Sequence, residues 1–388
     1  LENGQVLQTK KNAADGTIQF DAISYDKEGT HTYTVREVAG TDTDIDYDTM
    51  NAEVTVNVTK NATTGVLTAN VTMPADSEFN NYAVAPVTAQ FDFSKVLAGR
   101  TLKDGEFSFV LKDASGQVLQ TKTNDASGKV AFDALTYKNN EVGVHKYTVE
   151  EVAGSEAGMT YDPMKAEVTV TVTKDGHTLT ATKALPTDTE FNNTFTPSPV
   201  KVNLEFNKAL SNGDLNAGDF SFKLTGDNNI NETVTNKADG KVTFSELSFD
   251  KVGVYNYTVK EVKGNKPDVD YDEMTVAVKV TVTKDEDSGL LTAKTEMTST
   301  GGESTGADDK TFNNHVVAPV TAQFDFTKAL AGRQLKAGEF SFELVDPSDT
   351  STDPNGKVLQ TKTNDANGLV KFDALTFKNG QEGTHKYI

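Results

Sequence analysis

The 388-residue sequence contains no cysteine, which excludes disulfides and thiolate metal sites as a means of stapling it. Tryptophan is also absent and aromatic residues make up only 8%. No apolar run approaches the length that spans a bilayer as a helix. Basic residues are outnumbered, 37 Lys and Arg against 57 Asp and Glu, for a formal charge of −20. Nucleic acid and anionic membrane call for a basic footprint, so neither is expected as a partner, and no membrane insertion of this segment is expected. Leu1 opens without a secretion signal, and the chain reads as an excerpt of something longer. What the sequence does hold is Thr and Val in alternation, the pattern of pleated strands with one buried face. An all-β fold is the expectation.

The stretch VAPVTAQFDFSKVLAGRTLKDGEFSF at Val84 to Phe109 returns at Val317 to Phe342 with 22 of 26 positions identical, and a diverged copy occupies Val202 to Phe222. The chain is a tandem array. GQVLQTKKNAADGTIQFDAISY at Gly4 to Tyr25 recurs at Gly116 to Tyr137 and Gly356 to Phe377, each copy reading as two strands around an Asn, Asp and Gly turn, the signal of a hairpin. A run Tyr-Thr-Val-x-Glu-Val follows, ending on Glu37, Glu151 and Glu261. A Val and Thr strand comes next, and each copy closes on Phe-Asn-Asn, at Asn81, Asn193 and Asn314. Lys95 to Lys208 is 113 residues and Lys208 to Lys328 is 120. Short strands at this repeat length, with no helical period, predict Ig-like β-sandwiches. The expected divisions are 1–83, the later part of a truncated repeat; 84–195 and 196–315, complete repeats; and 316–388, the earlier part of another. Pro in the linkers TPSPV at 196–200 and VVAPV at 316–320 favours an extended rod.

Side-chain parity assigns the chemistry. Phe91, Phe93 and Lys95 share one strand face, so Lys95, Lys208 and Lys328 point to the core, where a lone charge is costly. Tyr147, Val149 and Glu151 likewise share a face, and the second Asn of each closing pair lies with its Phe. Lys, Glu and Asn therefore meet inside each complete repeat. Desolvation lowers a Lys pKa and raises a Glu pKa, so the pair can exist as neutral amine and neutral acid. The amine can then attack the Asn carboxamide, with the acid at the carbonyl oxygen and relaying a proton to the leaving ammonia. The product is a side-chain amide cross-link, formed once per site and not an enzymatic turnover.

This constellation resembles the isopeptide-linkage domains of Gram-positive pilins and cell-wall-anchored adhesins, the streptococcal pilin type in particular. The resemblance implies a Lys on the first strand bonded to an Asn on the last, with a middle-strand Glu as catalytic acid. Carried onto this sequence, it gives Lys95, Glu151 and Asn193 in one repeat and Lys208, Glu261 and Asn314 in the next. Glu37 with Asn81, and Lys328, become unpaired parts of truncated repeats. It further implies a stalk or shaft segment on a bacterial cell surface, anchored to the cell wall, with a host cell-surface or matrix protein met through other parts of the full-length protein.

Blander readings compete at several positions. A single Lys on an alternating strand is commonly a snorkelling edge residue, but three copies in phase with Glu and Asn override that. The acidic run Asp42 to Asp48 lacks the Gly and terminal Glu of an EF-hand and reads as a solvated loop. His31, His145 and His385 recur two residues before the strand Tyr with no second His or Cys nearby, so no metal or cofactor is expected. Two other function classes remain. One is direct binding of a host protein through sandwich faces or loops, which loop divergence between repeats would favour. The other is a glycosidase with paired carboxylates, disfavoured because only one inward acid recurs per repeat.

Overall fold

The computed structural model describes residues 1–388. It is built of β-strands with no α-helix, and the chain divides into two compact units, 1–196 and 197–388. The fold is a tandem series of β-sandwiches, as the strand periodicity predicts.

In the first unit, residues 84–195 form a sandwich of two sheets. One has the strand order Lys129–Ala131, Asp92–Ala98, Glu190–Phe195, Met159–Thr160; the other has the order Thr178–Ala184, Lys165–Asp175, Gly143–Glu151, Ser108–Asp113, Val118–Thr123. Alternation sends Val149, Val168, Val170, Leu111 and Phe109 from the five-stranded sheet against Phe93, Phe191 and Val130 from the other, all buried. After a short strand, Val87–Ala89, that pairs with Leu135–Tyr137, the first long strand of this sandwich, Asp92–Ala98, and its last, Glu190–Phe195, run parallel as direct neighbours, with Phe191 opposite Lys95 and Asn193 opposite Leu97. Parallel pairing needs a long crossover, and the whole of the intervening repeat is that crossover.

The stretch read as a hairpin is an arch. Val118–Thr123 pairs with Ser108–Asp113 in one sheet, whereas Lys129–Ala131 pairs with Asp92–Ala98 in the other. Val130 and Phe132 are needed in the core while Val118–Thr123 is an edge strand, so the two halves separate. Gln120 replaces the missing ladder, its Nε2 donating to the Asp133 carbonyl at 3.0 Å and its Oε1 accepting the Asp133 N–H at 2.9 Å. Gly128 turns the arch at φ 88°, where an added Cβ would collide with the Lys95 carbonyl oxygen. Its own carbonyl accepts the Lys95 N–H at 2.7 Å. The site lysine is thus pinned at its backbone by a position only glycine fits.

Residues 1–83 hold a three-stranded sheet, Gly29–Arg36, Asn51–Lys60 and Leu67–Thr72. The hairpin expected at Gly4 to Tyr25 is absent: no strand lies there. The acidic run is also not simply solvated. The Asp46 carboxylate accepts from Lys174, from Asn139 Nδ2 at 2.9 Å and from His177 Nδ1 at 2.7 Å, and Asp44 takes Lys138 at 3.1 Å. The His177 hydrogen bond foremost, then those of Lys174 and Asn139, hold Asp46 well below the usual carboxylate range.

In the second unit, residues 197–316 repeat the sandwich: Glu205–Ser211 lies parallel to Thr311–Val316 in one sheet, and Gly253–Val262 is central in the other. Residues 317–388 supply three two-stranded pairs, among them Asp325–Thr327 with Leu369–Lys371. The recurring His residues serve structure: His145 Nε2 sits 2.7 Å from the Glu141 carbonyl and its ring tilts on Tyr137.

Candidate cross-linking site

Lys95 lies on the first strand of its sheet beside Phe93, Asn193 on the adjoining last strand, and Glu151 at the end of the central strand of the opposite sheet. The side chains of Lys95 and Glu151 are fully buried. Lys95 Nζ donates to Glu151 Oε2 at 2.8 Å, and Asn193 Nδ2 donates to Glu151 Oε1 at 2.5 Å. The second complete repeat reproduces this with Lys208 Nζ to Glu261 Oε2 at 2.9 Å and Asn314 Nδ2 to Glu261 Oε1 at 2.7 Å. One carboxylate bridges both nitrogens.

Desolvation drives the Lys95 and Lys208 amines down from the ordinary lysine range, overcoming the Glu partner's pull, and pushes the Glu261 carboxyl up. Both directions favour moving a proton from lysine to glutamate, which leaves an uncharged amine with a free lone pair beside a carboxylic acid. Phe107 and Phe220 line the approach, each ring 4.7 Å from the lysine Nζ.

The Asn carboxamide is oriented by the main chain. The Asp162 N–H donates to Asn193 Oδ1 at 2.8 Å, and the Asp272 N–H to Asn314 Oδ1 at 2.8 Å. An N–H can only donate, which fixes oxygen on that side and nitrogen on the Glu side. The Glu carboxyl therefore faces the amide nitrogen of Asn, whereas the sequence reading set it at the carbonyl oxygen.

A family model described as a Spy0128-like isopeptide-containing domain matches residues 2–83, 91–196 and 204–317. The chain belongs to this family. It is also 24% identical over 408 residues to serine-aspartate repeat-containing protein D of Staphylococcus aureus strain MSSA476, an alignment covering 96% of this chain and 26% of that protein. The chain thus spans about a quarter of the length of the curated relatives it matches. Among solved structures it is similar to the T-13 major pilin of Streptococcus pyogenes, at 15% identity with a TM-score of 0.21, covering 61% of this chain and 98% of the pilin. A C-terminal fragment of the pilus adhesin SpaC from Lactobacillus rhamnosus GG is similar at 15% identity and a TM-score of 0.21, covering 58% and 97%.

The outer parts of this isopeptide-domain chain carry incomplete constellations. Asn81 Nδ2 donates to Glu37 Oε1 at 2.7 Å and Asn81 Oδ1 accepts the Asp48 N–H at 2.8 Å, while Glu37 Oε2, the oxygen that takes lysine in the complete repeats, has no hydrogen-bond partner. Lys328 stands 4.5 Å over the Phe340 ring and its N–H meets the Gly368 carbonyl at 2.7 Å, without Glu or Asn. Parity reasoning missed Phe107, Phe220 and Phe340, although each sits in the recurring Gly-x-Phe-Ser-Phe. It also missed Asn124, Asn236 and Asn364, buried residues whose Oδ1 accepts the N–H of that same Phe. Their recurrence before the arch turn was the available signal.

Proposed function

We propose that the chain is a structural shaft segment of a bacterial surface adhesin or pilus-like fibre, made of four tandem repeats, two of them complete at 84–195 and 196–315. Each complete repeat closes itself with one self-catalysed Lys–Asn isopeptide bond, Lys95 to Asn193 and Lys208 to Asn314. The observation that carries this is the buried carboxylate holding both reacting nitrogens, met twice with nearly the same distances. Glu151 and Glu261 act as proton relay. Glu takes the lysine proton, gives it to the departing amide nitrogen, and takes one from the new amide; the released ammonia carries that last proton off as ammonium, which returns Glu to the carboxylate it began as.

The bond would join the middle of the Asp92–Ala98 strand, near the start of the repeat, to the middle of its last strand, Glu190–Phe195. Because those strands are parallel neighbours, tension between the two ends of a repeat shears them, and a covalent link at that point carries the load past the residues between. A Cys-free extracellular tether gains by this what a disulfide would otherwise supply. The placement on the cell surface, anchored to the wall, belongs to the same reading.

Intact mass of the folded chain tests it. The expected value falls short of the sequence mass by two ammonias, and Glu151→Ala restores one while leaving Lys208 joined to Asn314. A folded protein at full mass overturns the proposal, and a cross-link surviving in the Glu151→Ala repeat overturns the role of Glu151.

A further inference from the structure

The turn that follows the site glutamate is Tyr-Asp-x-Met in three copies, at Tyr47 to Met50, Tyr161 to Met164 and Tyr271 to Met274. In every copy the Asp main-chain N–H donates to the site Asn Oδ1 at 2.8 Å. The Asp carboxylate ties that N–H in place from two sides. One oxygen accepts from the Met two residues on, Met50 at 2.7 Å, Met164 at 2.9 Å and Met274 at 2.8 Å. The other accepts the N–H of the residue just before the site Asn: Asn80 at 2.8 Å, Asn192 at 2.6 Å and Asn313 at 2.8 Å. One carboxylate thereby clamps the donor turn to the acceptor strand.

We propose that the main-chain N–H of Asp162, and of Asp272 in the next repeat, is the oxyanion donor of the cross-linking reaction, and that the Asp carboxylate is its positioning group. This rests on the isopeptide reading above. Both Glu151 oxygens are engaged with nitrogens, so the carboxyl that moves protons is not free to hold the carbonyl oxygen. Lys95 Nζ attacks Asn193 Cγ, the Nζ–Cγ bond forms, and the carbonyl electron pair moves onto Oδ1. The oxyanion is met by the Asp162 N–H already pointing at it. Glu151 delivers its proton to Nδ2; the electron pair returns, the Cγ–Nδ2 bond breaks and ammonia leaves. The surplus proton on Nζ passes to Glu151. The donor is built before any lysine arrives, because the same contact is present at Asn81, where Glu37 has no lysine. Such preorganisation is what makes an oxyanion donor effective, and loss of one typically costs about 10²- to 10³-fold in rate.

The test uses the full chain made by cell-free synthesis, with the ammonia loss of each repeat followed over time by peptide mass mapping. Replacing the residue at 162 by the α-hydroxy analogue of aspartate turns the N–H into an ester oxygen and keeps the side chain. The expected result is a Lys95 to Asn193 bond forming about 10²-fold more slowly, with Lys208 to Asn314 in the same molecule unchanged. The pH profile of the slowed reaction should keep its position, since Lys95 and Glu151 remain buried; a merely loosened repeat would admit water and shift it. Asp162→Ala should slow the same bond by less. If the ester-bearing repeat fails to fold, as judged by trypsin resistance, the ester at 272 provides the measurement in the second sandwich. An ester-bearing folded repeat that links at the wild-type rate overturns the oxyanion role and leaves the isopeptide reading standing. A wild-type chain that forms no bond overturns both.

Discussion

Residues 4–25, 116–137 and 356–377 are near-copies that end in different states. Val130 and Phe132 are almost fully buried, as are Val370 and Phe372, but their counterparts Ile18 and Phe20 are 43% and 40% exposed. The first copy forms no strands, while the second and third form three each. What differs is the neighbour. Residues 316–388 contain the early strands Val320–Ala322, Asp325–Thr327 and Ser341–Asp346, and these pair with the arch. In residues 1–83 no strand pairs with residues 4–25. The local sequence specifies which side chains alternate, and the distant partner strands decide whether the alternation becomes a strand at all.

The same contrast governs the site, and the largest effect should come from removing its lysine. Lys95→Ala in the 84–195 repeat removes the proposed link, which would close a loop from residue 95 to residue 193, 98 residues. The chain-entropy model assigns such a closure about 4 to 5 kcal/mol. That is a large share of a domain stability of roughly 5 to 15 kcal/mol, and corresponds to a melting temperature lower by roughly 15 to 25 °C. Calorimetry checks the shift, and single-molecule pulling should show that repeat alone extending to its full contour. Lys328→Ala should change neither, since Lys328 meets no Glu or Asn. Equal effects of the two substitutions would sink the comparison.

Supplying the missing neighbour should convert the exposed copy. A second copy of residues 84–115 joined ahead of Gly4 restores the strands that residues 4–25 would pair with and brings a lysine to Glu37 Oε2. The expected outcome is a third ammonia lost from intact mass, with the grafted lysine joined to Asn81. If the graft folds but no third bond forms, burial of the pair needs more than these strands.

The buried pair can be watched through pH where the bond is prevented. In Asn314→Ala, Lys208 stays an unlinked amine beside Glu261. Lys208 has a folded pKa below its unfolded value, so the unfolded chain holds more protons between those two values and stability rises with pH across that window. Glu261 has a folded pKa above its unfolded value, so the folded chain holds the extra proton and stability falls as pH rises from the unfolded pKa to the folded one. Denaturation of the variant should therefore show a stability minimum between the two windows. The linked repeat, in which Lys208 is an amide and no longer titrates, should be flatter. A variant as flat as wild type would contradict the desolvation of the pair.

Much of this site was legible in the sequence because parity alone places Lys95, Glu151 and Asn193 on inner faces. Recurrence separated that signal from chance. The parallel pairing of first and last strands was not legible, since period 2 reports a face and never a partner. Nor was the Asp162 donor, because a main-chain N–H has no residue type to mark it. The hairpin reading failed at 116–137 for a further reason: turn chemistry at Asp125 to Gly128 is the same whether the flanking strands pair or part, and Gln120 supplies the contacts that let them part.

The smallest effect isolates that glutamine. Gln8 makes the same pair of hydrogen bonds in the exposed copy, with Nε2 to the Asp21 carbonyl at 3.0 Å and Oε1 to the Asp21 N–H at 2.8 Å. In residues 116–137 both halves of the arch are also held by sheets, so Gln120→Ala removes two exposed hydrogen bonds and should cost about 0.5 to 1.5 kcal/mol without changing the topology. In residues 4–25 no ladder backs the arch, so Gln8→Ala should leave global stability untouched yet release the Asp21 amide to exchange with solvent at an unprotected rate. Hydrogen exchange at Asp21 and Asp133 reads both at once. Retained protection of Asp21 in Gln8→Ala would mean that residues 4–25 are held by something other than their own side chains.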